Sequence, residues 1–319
     1  MNFTTSWLVC ALAILMLLEI FDYFVLQRQQ GQTRFFCLLF VIFAMIPYPF
    51  LVPDSLSWIR FFFAMVVFNK IIKSLEITYH RVNPSHLKSF SRYLFWSLNF
   101  PEPTWPDTKE QAAQARKQGQ KRILRFFFKE TLVFGLFCLS TLLPQMHEWT
   151  YAKMLWLILF VYLHFSGIID LITGVVMQSG IFLEEIFDAP LLSQSPREFW
   201  GRRWNIYFRN VSHRNIFLPM QGKIPVTMAV ICVFGFSIML HEYMIWVSLG
   251  THLGYMTAFF SIHCAATIAQ TWFIRKTGKK KIFPVPVAIC LYLTWMVLTV
   301  PLFMSPMLAI FPVHTWKLW

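Results

Sequence analysis

The run Phe199-Trp200-Gly201-Arg202-Arg203-Trp204-Asn205 packs two tryptophans, two arginines and an amide into seven residues. His241-Glu242 follows, with the histidine 36 positions after Asn205 and inside an apolar stretch. An ionisable side chain where a bilayer admits mostly hydrocarbon is costly, and it is a functional candidate by default. His241 lies sixteen residues beyond Pro225, roughly 24 Å along a straight helix. The other reading of His241 is polar glue between helices. Glu242 beside it demands either a polar cavity or a local partner. Together the two elements point to chemistry performed inside a membrane, on a substrate that lives there.

Within the run, the Asn205 amide both donates and accepts, which suits holding a carbonyl or orienting a base. Arg202 and Arg203 offer planar forks that match phosphates, such as those of a coenzyme A tail. Either arginine alone reads more simply as an anchor to lipid headgroups. Trp200 and Trp204, four apart, are expected on one helix face or in an interfacial aromatic belt.

Other chemistries fail on spacing. A zincin needs His-Glu-x-x-His, but Ile245 stands at the second ligand position. Glu184-Glu185 lacks the arginine of a Glu-Glu-x-x-x-Arg metalloprotease, since Ala189 takes its place. Neither Ser166-Gly167 nor Ser179-Gly180 sits in Gly-x-Ser-Gly, and there is no glycine-rich phosphate loop. The six cysteines are scattered singly and read as small buried residues, so no metal site is expected.

The elements that must position these groups are hydrophobic. The 319 residues are 57% hydrophobic and 13% charged, with 35 phenylalanines and a mean hydropathy of +0.54. A soluble domain carries roughly a quarter charged residues, so the composition specifies an all-α polytopic membrane protein. The net charge of +13 is clustered between apolar segments. That argues for a lipid bilayer as partner and against nucleic acid.

At about 20 apolar residues per crossing, about eight transmembrane helices are expected, near 6–26, 34–52, 56–76, 122–143, 150–172, 224–247, 253–274 and 284–310. The first lacks a basic leader and reads as a retained helix. Pro301 and Pro306 are expected to kink or shorten the last. Basic loops alternate with loops almost free of Lys and Arg, as the positive-inside rule requires for eight crossings. Both termini then face away from the cytosol.

Two long cytosolic stretches remain, 77–121 and 173–223, the second carrying the run. In the first, Ser85 to Phe100 reads as an interfacial helix with Leu87, Phe90, Tyr93, Leu94 and Trp96 on lipid. Pro101 to Pro106 reads as a turn, and Lys109 to Gln120 as a solvated connector. No separate soluble domain is visible, so 1–319 reads as a single integral membrane domain. Glu19, Asp22, Lys129 and Glu130 read as snorkelling or pairing groups. His164, Asp170 and His263 either line one cavity with His241 or bridge helices.

Ser195-Pro196-Arg197-Glu198, the run through Asn205, and Arg214-Asn215-Ile216-Phe217-Leu218-Pro219 resemble the wax synthase-like branch of the membrane-bound O-acyltransferases. Phe236, Ser237, His241 and Glu242 are similar to that branch's Phe-x-x-Ser-Gly-x-x-His-Glu element, in loose form. The specific likeness covers about 190–242. The chain departs from it at Phe217, where the branch has tyrosine. It departs again at Ser237, displaced by one and followed by Ile238 in place of glycine.

The resemblance implies a helical bundle enclosing a tunnel, with His241 as the catalytic histidine and Asn205 as the second signature residue. Trp200, Arg202, Arg203, Trp204 and Glu242 are expected on the substrate-binding side. No cofactor is implied beyond acyl-CoA as co-substrate, and the acceptor is a lipophilic alcohol, long-chain or sterol. A neutral imidazole suits the base that takes the alcohol proton. Transfer is expected to be direct, because no serine or cysteine is paired with a base. Two alternatives stay open: acetyl-CoA-dependent acetylation of a terpenoid or polyketide, and a proton- or cation-coupled transporter using His241, Glu242 and Asp170. The expected membrane is endoplasmic reticulum in a eukaryote or plasma membrane in a bacterium. Acyl length, acceptor identity and oligomeric state are not set by these residues. A straight helix would leave His241 far from Asn205, so either the run's segment dips inward or the His241 helix breaks.

Overall fold

A computed structural model describes residues 3–142, 150–279 and 283–311. The architecture is helical: α1 (Phe3–Phe24), α2 (Gly31–Met45), α3 (Ser57–Thr78), α4 (Phe90–Leu98), α5 (Lys109–Leu142) and α6 (Thr150–Met177) come first. The short α7 (Pro196–Glu198), α8 (Ile206–Ser212) and α9 (Leu218–Met220) follow, then α10 (Val226–Leu249), α11 (Tyr255–Thr277) and α12 (Val285–Ile310). Among the described residues the one strand pairing joins β1 (Pro103–Thr104) to β2 (Phe182–Leu183), antiparallel, with Pro103 opposite Leu183.

Among the described residues, six stretches are long and apolar enough to cross a membrane: Ser6–Arg28, Gly31–Leu51, Asp54–Thr78, Tyr151–Met177, Val226–Leu249 and Val285–Ile310. Of the other two expected spans, 122–143 and 253–274, residues 122–142 are helical in α5 and 255–274 in α11. They fall below that apolarity. Arg122, Arg125, Lys129 and Glu130 interrupt the first, and His263, Thr267 and Gln270 dilute the second. The last helix is not shortened, since α12 runs through Pro301 and Pro306 to Ile310. Prolines are tolerated in membrane helices where neighbours satisfy the carbonyls they leave.

The chain divides into two compact units. The first gathers the described residues of Met1–Phe100, Asn210–Cys264 and Ser305–Thr315. Here α3 packs on α2, α4 and α10. A fully buried ionic network ties α1 to α3 and α4. Lys70 Nζ lies 2.8 Å from Glu19 and 2.8 Å from Asp22, and Ser74 donates to Asp22. The Tyr93 and Ser97 hydroxyls donate to Glu19 at 2.6 and 2.8 Å. Buried ion pairs of this kind add little net stability, but removing one partner is severe. Tyr93 and Trp96 are therefore not on lipid as the sequence suggested. Both are completely buried, packed with Leu26 and Ile77, and Lys73 sits 4.3 Å over the Trp96 ring. Burial and the nearby Asp22 and Glu19 carboxylates push the Tyr93 hydroxyl well above its ordinary value, so it remains a donor.

The second unit gathers the described residues of Pro101–Arg209 and Ala265–Met304. Its α5 and α6 form a tight hairpin. A Cβ on Gly119 would meet the Gly174 carbonyl at 2.7 Å, and a Cβ on Gly174 would meet the Gly119 carbonyl at 2.8 Å. Residues 109–120 are thus the first turns of one continuous helix, with Ala115 and Gly119 buried, rather than a separate solvated connector. Above that crossing Arg125 forks onto Asp170 and reaches Glu185 at 2.9 Å, and Lys129 reaches Asp170 at 2.6 Å. Glu130 takes His164 at 2.9 Å. Asp170 and His164 bridge helices here. All six cysteines are free; Cys264 is buried, whereas Cys10 and Cys290 are exposed, contrary to the expectation of burial.

Candidate active site

The helix carrying His241 is continuous from Val226 to Leu249, which removes a break in α10 as a way of moving the histidine. The ring is half-buried, and Nδ1 lies 2.7 Å from the Ser237 carbonyl one turn back. A carbonyl can only accept, so Nδ1 carries the proton and the neutral ring keeps its lone pair on Nε2. Phe260 of α11 packs against the imidazole at 4.6 Å between centroids. Phe259 beside it packs on the fully buried His263 at 4.4 Å. Glu242 points elsewhere: its carboxylate accepts from Gly254 N–H at 3.0 Å and from Thr257 N–H and Oγ1–H at 2.8 Å each.

The run is built around a π-helical turn, Phe199–Arg203. Ser195 and Glu198 open it in the manner of a capping box. Ser195 Oγ accepts from Glu198 N–H at 3.2 Å, while Glu198 reaches back to Gln194 N–H at 2.9 Å. The turn closes with Trp204 N–H donating to Phe199 O at 2.9 Å, an i→i+5 bond. That wider turn alters which rings meet. Trp204 stacks on Phe199 at 5.2 Å and 14°, and also packs on Phe187 at 4.9 Å. Trp200 meets Phe199 edge-on at 4.9 Å. The α-helical face expected for Trp200 and Trp204 is therefore replaced by a Phe199–Trp204 pair.

The two arginines separate. Arg203 is a strut, its guanidinium 2.7 Å from Glu198 and donating to the Asp188 and Ala189 carbonyls at 3.1 and 3.3 Å. Burial works to raise the Glu198 carboxyl, but the Gln194 N–H and Arg203 outweigh it and hold the group below its ordinary value. Arg202 is turned outward, 69% exposed, with Asp188 at a loose 3.8 Å.

Asn205 ends the run at φ +44, a left-handed conformation that few non-glycine residues adopt. Its neighbours are pinned to an adjacent segment, Asp188 N–H donating to Arg203 O and Ile206 N–H to Ile186 O, each at 2.9 Å. Its Oδ1 caps α8 by accepting from Phe208 N–H at 3.1 Å. With the oxygen so used, the Nδ2 amide is the group the side chain presents. In the first unit, a second π-helical turn, His213–Phe217, carries Arg214 and Asn215. Both grip the buried Glu76 of α3, at 2.8 and 3.2 Å, and Asn215 also accepts from Arg81 at 2.7 Å.

Sequence reasoning gave no role to Glu198, Glu76 or Phe260. Glu198 carried a signal, the Ser-x-x-Glu spacing after Ser195; the other two contacts are tertiary and have none. Among the described residues no group of His, Cys, Asp and Glu could hold a metal ion.

No curated protein matches the chain. Residues 183–262, about a quarter of it, match the model of the membrane bound O-acyl transferase family. The matched segment includes the π-helical run, Asn205, His241 and Phe260, and over those residues the chain is similar to that family.

Proposed function

We propose that the protein transfers an acyl group from acyl-CoA to the hydroxyl of a lipophilic alcohol, a long-chain alcohol or a sterol, in the wax synthase-like manner. The observation that carries this reading is His241 itself: a membrane-helix histidine within the family-matched segment, its Nδ1–H bound to the Ser237 carbonyl. His241 Nε2 takes the alcohol proton as the alcohol oxygen attacks the thioester carbon. The C–S bond then breaks, and the imidazolium returns its proton to the departing thiolate. General-base help of this kind is worth about 10²–10⁴ in rate. Asn205 acts on the donor, with Nδ2 donating to the thioester oxygen as negative charge builds on it. Arg202, exposed and loosely paired, suits the donor's phosphates; Arg203, Trp200 and Trp204 shape the turn that presents it.

The transporter reading loses support at its own residues. Asp170 is held by Arg125 and Lys129, and Glu242 by Gly254 and Thr257, so neither carboxylate is available to relay a cation. The test uses membranes from expressing cells, given labelled acyl-CoA and a panel of long-chain alcohols, sterols and terpenoid alcohols. Label passing into one class of ester supports the reading. Label retained in the thioester, or released only as free acid, contradicts it. Transfer confined to acetyl-CoA would favour the acetyltransferase alternative.

A further inference from the structure

Resting on the acyl-transfer reading, we infer that Glu242 is a positioning residue, which fixes α11 against the His241 imidazole and does not bind substrate. The chain between α10 and α11 reverses within Gly250–Gly254, where Gly250, His252 and Gly254 all have positive φ, at +66, +59 and +91. The first N–H groups of α11, as of any α-helix, have no intrahelical partners. Glu242 supplies them from the neighbouring helix. Oε1 accepts from Gly254 N–H at 3.0 Å and from Thr257 N–H and Oγ1–H at 2.8 Å each, and Oε2 accepts from Gly254 N–H at 3.1 Å. A carboxylate at this end also complements the α11 dipole.

The consequence for chemistry lies one turn further along. Phe260, three residues after Thr257, is buried and packs on the His241 ring at 4.6 Å. The Ser237 carbonyl fixes the ring through Nδ1, and Phe260 supports it from α11. The residue that follows the histidine thus anchors the helix that supports the histidine. A substrate-binding carboxylate would direct an oxygen at its ligand, whereas both Glu242 oxygens are spent on α11.

Full-length Glu242→Ala, Glu242→Gln and Thr257→Ala variants, in membranes, distinguish the roles through kcat and KM for each substrate and the pH–rate profile. Positioning predicts that Glu242→Ala loses about 10²-fold in kcat, as for a misplaced catalytic group. Both KM values should stay unchanged. Glu242→Gln, which keeps one acceptor oxygen, should stay within several-fold of wild type and retain every limb of the pH profile. Thr257→Ala should show a smaller kcat loss of the same kind, and it serves if Glu242→Ala does not fold. A raised KM for the alcohol with kcat preserved overturns the inference. So does Glu242→Gln as inactive as Glu242→Ala with a limb missing. Imidazole ¹⁵N resonances of His241 give a readout independent of turnover. The Nδ1–H signature should persist in Glu242→Gln and be lost or mixed in Glu242→Ala; an unchanged signature in Glu242→Ala would contradict positioning even if no ester forms.

Discussion

His241 and Asn205 are built in opposite ways. His241 stands on an unbroken helix and is oriented by the carbonyl of its own preceding turn. Asn205 stands at a strained left-handed residue between a π-helical turn and a short helix, oriented by capping the latter. Regular backbone aims the histidine and irregular backbone aims the amide. The contrast shows where motif residues go: Phe199, Arg203 and Trp204 build the turn, whereas Arg202 is turned outward. A residue held in a sparsely populated conformation persists only where its surroundings insist on it.

The first way to break the comparison is Asn205→Gly. Glycine tolerates the positive φ and costs only a few tenths of a kcal/mol as a cap. The variant should therefore insert and melt like wild type, yet lose about 10²–10³ in kcat, as for a removed oxyanion donor. Wild-type turnover in that variant would reduce Asn205 to a structural cap. Next in size, Arg203→Ala should destabilise the second unit by about 1.5–3 kcal/mol through loss of a charged hydrogen-bonded pair, seen as a lower melting temperature.

That pair also carries a pH signature. Because the Glu198 carboxyl is held below its ordinary value, its contribution is present above the unfolded carboxylate pKa and is lost as pH falls through the lowered folded value. The stability gap between wild type and Arg203→Ala should narrow below about pH 4, and Glu198→Gln should abolish the narrowing. The smallest effect is expected from Arg202→Ala: a several-fold rise in KM for acyl-CoA, weaker at high salt, with kcat unchanged. Equal losses in Arg202→Ala and Arg203→Ala would erase the distinction between presenter and strut.

Much of the fold was legible because hydrophobic length is a direct signal; six spans follow from it. The sequence was less clear where charges enter a helix, as in α5, since Arg125 and Lys129 find Asp170 only after α6 has folded back. The Tyr93–Trp96 face of α4 illustrates the same limit, because an apolar stripe reads alike whether it meets lipid or protein. Residue types singled out His241 and Asn205 as candidates. The π-helical turn was not legible, since an i→i+5 bond demands no particular side chain, and so the Phe199–Trp204 stack displaced the expected Trp200–Trp204 face. The contacts that occupy Glu242 left no signal of their own, since Gly254 and Thr257 lie twelve and fifteen residues on.

The most direct test of the account is ester formation by His241→Ala in membranes holding as much folded protein as wild type. A base on His241 predicts a fall of at least about 10²-fold in kcat with the KM for acyl-CoA preserved. Turnover equal to wild type would take His241 out of the reaction.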